Sequence, residues 1–421
     1  MTNYRLGPMG WFHHPAIFAP DASELDRSGN YGTLDLVRAL EWIRDNAAAF
    51  GGDAGRVTIF GESAGGQNVL SLLLSPPAKG LFHRAVVQSG GITPATIAQA
   101  RAGIPDDGPE GSTGSDQVVE TLGGAPRAKS AEEMLRAYPG DKTIGMFGIP
   151  AVIRDGVVIP DADPKELFAK GAYNQVPVVL GTNRDEVKLF LIGDPELVRR
   201  WFGIFPMLRV PAGEYERISE YSAKAWKASG VDELAPLLRR AQGASVYAYR
   251  FDWDEEPTLF FADYSVLLGA AHGFEIPFVF GHWNLGRAGT RMFTSDNEPG
   301  REKLSAAMRS YWAQLAYTGD PGRGRKGDLP EWAAWDATAP AAPKFVVLDT
   351  DADGGVRMSA DVYDKAKLRA EVREDERLPT WREKCGQLRG LALYSGYYTR
   401  EDYAAEPDCK DYAFADFPWK G

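Results

Sequence analysis

The chain has 421 residues, of which 44% are apolar and 25% charged, the balance of a globular protein. Its net charge of −11 argues against a nucleic-acid partner, which needs clustered positive charge. No run approaches the roughly 18 apolar residues of a membrane span, and no Cys/His cluster has metal-ligand spacing, so neither a membrane span nor a structural zinc is expected, and the chemistry read below calls for no cofactor.

In chain order, residues 3–20 read as an extended, loop-rich opening with no apolar signal segment. Residues 33–50 carry Leu36, Val37, Leu40, Ile43 and Ala47 at three- and four-residue spacing, which predicts an amphipathic helix closed by Gly51-Gly52-Asp53. The short apolar run 56–60 predicts a buried parallel strand, and 85–89 a second one. Residues 104–115 are rich in Gly, Asp and Pro and read as a surface loop. Helical pieces follow at 131–138 and 165–171, then a strand at 176–181. The stretch 195–242 predicts a largely helical cap. A strand at 245–253, a long helix at 301–319 stopped by Gly319-Asp320-Pro321, and a late strand at 344–348 complete the pattern. Strands alternating with helices define an α/β fold with a mainly parallel sheet. From 351 the chain changes character: 365–389 is charged and helical, and Tyr394, Tyr397, Tyr398, Tyr403, Tyr412, Phe414, Phe417 and Trp419 suit a tail packed on the main body. The expected division is 1–350 as the main domain and 351–421 as a C-terminal extension. Cys385 and Cys409 could form one disulfide or be two separate thiols.

The chemistry centres on Gly61-Glu62-Ser63-Ala64-Gly65, directly after the apolar run Val57-Thr58-Ile59-Phe60. A strand that ends in Gly-x-Ser-x-Gly and enters a helix reads as a nucleophile elbow, with Ser63 on a sharp turn. Gly61 and Gly65 are expected to relieve the crowding there. The helix that follows aims its N-terminal amides at the serine, which favours an anion forming beside it. The bland reading, a chance Gly-x-Ser-x-Gly, is countered by the flanking strand and helix.

A serine hydroxyl needs a base, and the base needs a third group to hold its tautomer. The chain has five histidines. The order serine, acid, histidine leaves His272 and His282, and the small-residue run Gly269-Ala270-Ala271 before His272-Gly273 favours His272 over a rim residue at 282. The acid is expected after the strand at 176–181, where Asp185 and Glu186 are adjacent and point in different directions. One would face the histidine and the other solvent or Arg184.

The chain resembles the type-B carboxylesterases, the group that includes cholinesterases and bacterial nitrobenzyl esterases. Asn3 to Pro8, Gly29-Asn30-Tyr31-Gly32, Asp35, Phe50-Gly51-Gly52-Asp53, Phe60 to Gly66, Gln88-Ser89-Gly90, Asp185-Glu186, His272 to Pro277 and Thr318 to Pro321 carry the likeness, over about residues 2–350. The resemblance implies an α/β-hydrolase fold with helical cap insertions, acting on a small-molecule ester. It implies Ser63 as nucleophile, Glu186 as acid and His272 as base, with Ala64 supplying an oxyanion amide. Glu62 would pair beneath the elbow, and Ser89 would hydrogen-bond the acid. Such proteins begin upstream of Asn3-Tyr4-Arg5, with early strands and a His-Gly-Gly loop that donates further amides. The sole His-Gly pair here is His272-Gly273, and three consecutive glycines do not occur. The expectation is therefore a shortened chain lacking the N-terminal strands, with an incomplete oxyanion hole. Each lost donor costs about 10² to 10³ in turnover. The alternatives are a non-catalytic interaction module on the same fold, or an inactive remnant. Phe147, Trp201, Phe202 and Phe205 could line an acyl or alcohol pocket, but aromatics near a cap more often pack, so none is taken as a site residue.

Overall fold

The computed structural model describes residues 1–104, 112–138, 148, 152–203, 205–284, 286–394 and 397–416. Most of the predicted loop at 104–115, together with Phe147, Phe417 and Trp419, lies outside them. The chain divides into two compact units: Met1–Ile59 with Gln67–Ala85 and Gly91–Val176, and Phe60–Gly66 with Val86–Gly90 and Pro177–Gly421.

In the first unit the predicted amphipathic helix runs as α1 (Tyr31–Asn46) and buries Val37 and Leu40. The Arg5 guanidinium grips Asp35 at 2.7 Å. Asn30 exchanges two hydrogen bonds with the backbone of Ile153. Phe12, Val118, Val119, Leu122, Met134 and Tyr138 form a small apolar cluster of their own.

The central sheet has six strands in sequential order: β1 (Thr58–Glu62), β2 (Arg84–Gln88), β3 (Val178–Asn183), β4 (Val246–Phe251), β5 (Phe345–Leu348) and β6 (Arg357–Ser359). β3, β4 and β5 pair in parallel, with Tyr249 opposite Gly181 and Val346 opposite Tyr249, and β6 closes the far edge antiparallel. Every residue of β3 and β5 is buried, as expected of strands covered on both faces. Gly181 is required here: a Cβ on it would lie 1.8 Å from the Tyr249 ring.

The long helix α6 (Glu298–Thr318) buries Leu304, Met308, Tyr311 and Leu315 along one face, and Gly319 ends it at φ 83°. Those side chains join Tyr249, Phe251, Phe278, Val346 and Leu348 in one core cluster of this unit. Full burial of each such side chain contributes about 1.5 to 3 kcal/mol.

Three expectations differ from the structure. β1 is an edge strand and not a buried one: Phe60 is 47% exposed, because β1 has a described partner on one side alone. The region 195–242 does not start as a helix. A hairpin, Val198–Trp201 with Phe205–Leu208, precedes α4 (Ala212–Lys227) and α5 (Leu234–Gln242), because strand-favouring Val198, Trp201, Phe202 and Phe205 flank a turn at Gly203. Trp201 and Phe202 are exposed, not packed.

The C-terminal segment folds as α7 (Lys365–Glu374) and α8 (Trp381–Tyr394). Leu368, Val372, Leu388, Leu391, Tyr397, Tyr398 and Tyr403 cluster with Tyr221 and Ala225 of α4. Cys385 and Cys409 are bonded to each other within that cluster. Closing a chain of this length restricts the unfolded state. Cys385→Ala should therefore lower the unfolding free energy by about 2 to 4 kcal/mol, read as a lower urea midpoint. Reductant should reproduce the shift in the unsubstituted protein, and an unmoved midpoint would show that the bond carries no stability.

Candidate active site

Ser63 follows β1 with φ at 57°, a left-handed conformation that a serine adopts only where the surroundings impose it. Its backbone N–H donates to the Gln88 carbonyl at 2.9 Å. α2 (Ala64–Leu74) begins at the next residue. The glycine logic is met in part. A Cβ on Gly61 would lie 2.4 Å from the Gly65 carbonyl, so the turn requires glycine there, whereas a Cβ on Gly65 would meet nothing within 4 Å. Gly66, which the motif does not include, is the other tight position. A Cβ there would come within 2.9 Å of the Gln88 carbonyl and the Gly90 Cα. Gly66 and Gly90 thus let the helix approach β2 backbone to backbone.

β3 ends at Asn183 and the chain turns through Arg184, Asp185 and Glu186. The two adjacent carboxylates face apart. Asp185 binds the Arg184 guanidinium at 2.8 Å and accepts from the Ala270 amide at 3.1 Å. Glu186 has no solvent exposure and accepts from Thr182 Oγ1 at 2.8 Å, the Asn183 amide at 2.7 Å and His272 Nδ1 at 2.6 Å. A buried carboxylate with three donors is fully satisfied. The imidazole is 6% exposed, and Trp226 and Phe190 lie 5.0 and 5.5 Å from it, ring centre to ring centre. His282, by contrast, is exposed.

The other imidazole nitrogen, Nε2, lies 3.2 Å from Glu62 Oε1. Among the described residues it makes no hydrogen bond to Ser63, the neighbour of Glu62 in the chain. Glu275, fully buried, accepts from Gln88 Nε2 at 3.1 Å and Asn183 Nδ2 at 2.7 Å. Three carboxylates therefore surround one imidazole. Burial alone would lower the His272 pKa, but Glu186 and then Glu62 more than offset it, raising it to about 9. Burial pushes the Glu62 carboxyl up, with Glu275 and Glu186 adding to the rise and His272 opposing it. Burial and Glu186 likewise raise Glu275.

Ser89 departs from its expected role. It also adopts a positive φ, 50°, but among the described residues its buried Oγ has no hydrogen-bond partner, and Thr182 and Asn183 serve the acid instead. Glu275 was missed by sequence reasoning. Its one legible signal is the spacing from His272, three residues on across a turn, which places Glu275 at the N-cap of the short helix Ile276–Phe280. Among the described residues, no group of three or more His, Cys, Asp or Glu side chains could hold a metal ion.

A mainly parallel sheet, a strained serine between a strand and a helix, and a histidine–glutamate pair drawn from later loops define the α/β-hydrolase fold. Comparison with known proteins gives the family. The Carboxylesterase family profile matches residues 1–199 and 212–366. The para-nitrobenzyl esterase of Bacillus subtilis is 30% identical over 370 residues, spanning 83% of this chain and 68% of that protein. The cocaine esterase of Homo sapiens is 33% identical over 367 residues, spanning 80% and 61%. The solved carboxylesterase of Geobacillus stearothermophilus superposes with a TM-score of 0.61 at 29% identity, covering 87% of this chain and 73% of its own. The chain belongs to the carboxylesterase family, of the type-B group, and spans roughly two thirds of the length of these curated relatives.

The glycine contacts predict a contrast between neighbours. Gly66→Ala forces a methyl into backbone and should lower the unfolding free energy by about 1 to 3 kcal/mol. Gly65→Ala places a methyl in open space and gains helix propensity, so it should leave the thermal midpoint unchanged or higher. Equal midpoints for the two variants in a thermal scan would contradict the close approach at Gly66.

Proposed function

We propose that the chain is a serine carboxylic-ester hydrolase acting through an acyl-enzyme on a small or medium ester. The observation that carries this reading is the buried His272–Glu186 pair, 2.6 Å apart, beside the residue next to the strained Ser63. Glu186 fixes the tautomer with the proton on Nδ1, leaving Nε2 as the base. Nε2 turns from Glu62 to the adjacent Ser63 hydroxyl, a catalytic contact of the kind that tightens only once substrate is present. Ser63 Oγ then attacks the ester carbonyl as its proton passes to Nε2. The carbonyl oxygen becomes an anion, met by the Ala64 amide in the first turn of α2, where the helix leaves N–H groups unpaired. The tetrahedral species collapses, the alcohol departs with the proton from Nε2, and a water activated by the same nitrogen frees the acid and restores Ser63.

Glu62 has a second consequence. Glu186 and, after it, Glu62 stabilise the imidazolium at rest, so the base is largely protonated below about 9. The ion-pair stabilisation is complete below the ordinary histidine value of 6.5 and is lost as pH rises through about 9, while the active neutral base appears over that same window. The kcat/KM for a p-nitrophenyl ester should therefore climb with pH through a value near 9. Glu62→Gln, which removes one of the carboxylates favouring imidazolium, should move that rise to lower pH. A pH profile that Glu62→Gln does not move would take Glu62 out of this role.

The Ser63→Ala variant should lose hydrolysis of activated esters down to about the background left when a nucleophile is removed, a fall of 10³-fold or more. A fluorophosphonate probe should label the unsubstituted chain at Ser63 alone. Absence of labelling, with the protein folded, would instead favour a non-catalytic role for the fold.

A further inference from the structure

The His272 imidazole rests on two aromatic rings from different elements. Trp226 comes from α4, and Phe190 from the short helix Lys188–Leu191 that follows the acid. Their rings stand 6.1 Å apart and nearly parallel, with 18° between the planes. The imidazole lies 5.0 Å from the Trp226 ring and 5.5 Å from the Phe190 ring, centre to centre.

The charged neighbours of the imidazole are acids. Glu186 faces Nδ1, Glu62 faces Nε2, and Glu275 acts on it from the N-cap of Ile276–Phe280. The cations on the two elements that carry the rings are spent elsewhere. Lys188 is held by Glu216 and Asp185, Lys224 by Glu220 and Glu371, and Lys227 by Asp232.

Trp226 is itself held in place from α4. Ala225, the residue before it, packs with Tyr221 into the apolar cluster of the C-terminal segment. The Tyr221 hydroxyl donates to Asp375 at 2.8 Å, and the Lys224 ammonium donates to Glu371 at 2.8 Å. Through α4, Trp226 is therefore where the C-terminal segment bears on the imidazole.

An aromatic face attracts a cation within about 6 Å of its centre, most strongly where water is excluded. His272 is buried, so the attraction acts in a poorly screened place. A neutral imidazole gains little from it. The imidazolium that forms as Ser63 gives up its proton gains the whole of it. The interaction grows along the reaction, which is the condition for raising kcat and not only lowering KM.

We propose that Trp226 is a positioning residue that holds the His272 imidazole and stabilises its protonated form during ester cleavage. The inference rests on the hydrolase reading above, and its test reads the imidazole both with and without turnover. The chain has five histidines, so isotope-labelled histidine rings can be followed one by one across pH by nuclear magnetic resonance, with His272→Gln assigning the signal. Trp226→Leu should lower the His272 midpoint, and with it the pH at which kcat/KM rises, by about half a unit or more. Its kcat on the high-pH plateau should fall about threefold or more, with KM within about twofold of the parent. Trp226→Phe keeps a ring face and should recover most of both. An unmoved or raised midpoint in Trp226→Leu would overturn the inference, because loss of packing alone admits water and raises a buried histidine. A loss confined to KM would overturn it too, making the ring a wall for substrate. A chain that hydrolyses no ester yet shows the lowered midpoint would sink the hydrolase reading while supporting the hold of Trp226 on the imidazole.

Discussion

A carboxylate removed entirely from water is tolerable only when other groups replace the lost hydration. Glu186 meets that condition through Thr182, the Asn183 amide and His272, donors from two parts of the fold. Thr182 and Asn183 bind it to the end of β3, and His272 binds it to the loop that runs from α4's neighbourhood toward Ile276–Phe280. The Asp185 bond to the Ala270 amide and the Asn183 bond to the Ala271 carbonyl pin the same loop from the other side. The imidazole is thus held by backbone geometry as much as by its own charge.

Around it lies an unusual concentration of acid. Glu62, Glu186 and Glu275 share one imidazole, and Glu275 is kept by Gln88 and Asn183, not by a cation. Burial raises Glu62 and Glu275, so the cluster need not hold three full charges at once. The arrangement gives the proposed base a resting partner one residue away from the proposed nucleophile.

The elbow and the second unit's outer parts obey different constraints. At Ser63 and Ser89 positive φ coincides with tight backbone contact, Gly61 on Gly65 and Gly66 on Gly90, so the strain is held by packing. At Phe202 and Phe260 no such packing exists, and the strain holds exposed rings outward. Just after α4, the buried pair of Lys227, its last residue, with Asp232 at 2.6 Å is completed by the Tyr363 amide, so the C-terminal segment contributes to satisfying a charge buried in the second unit.

The sequence determined the elements whose causes are local. Period and caps placed α1 and α6, the Gly-x-Ser-x-Gly run after an apolar strand placed the elbow, and chain order with small flanking residues selected His272. The choice of Glu186 over Asp185 came from family resemblance, and the structure turns Asp185 toward Arg184 for a reason no local pattern contains: the Ala270 amide from a distant loop occupies it. Tertiary structure alone decided that β1 lies at an edge, that Gly66 and Gly181 face a backbone and a ring, that Glu62 meets Nε2, that Thr182 and Asn183 rather than Ser89 bond the acid and that Cys385 joins Cys409. Each depends on what a side chain meets across the fold, and a neighbour brought by folding leaves no trace in the residues beside it in the chain.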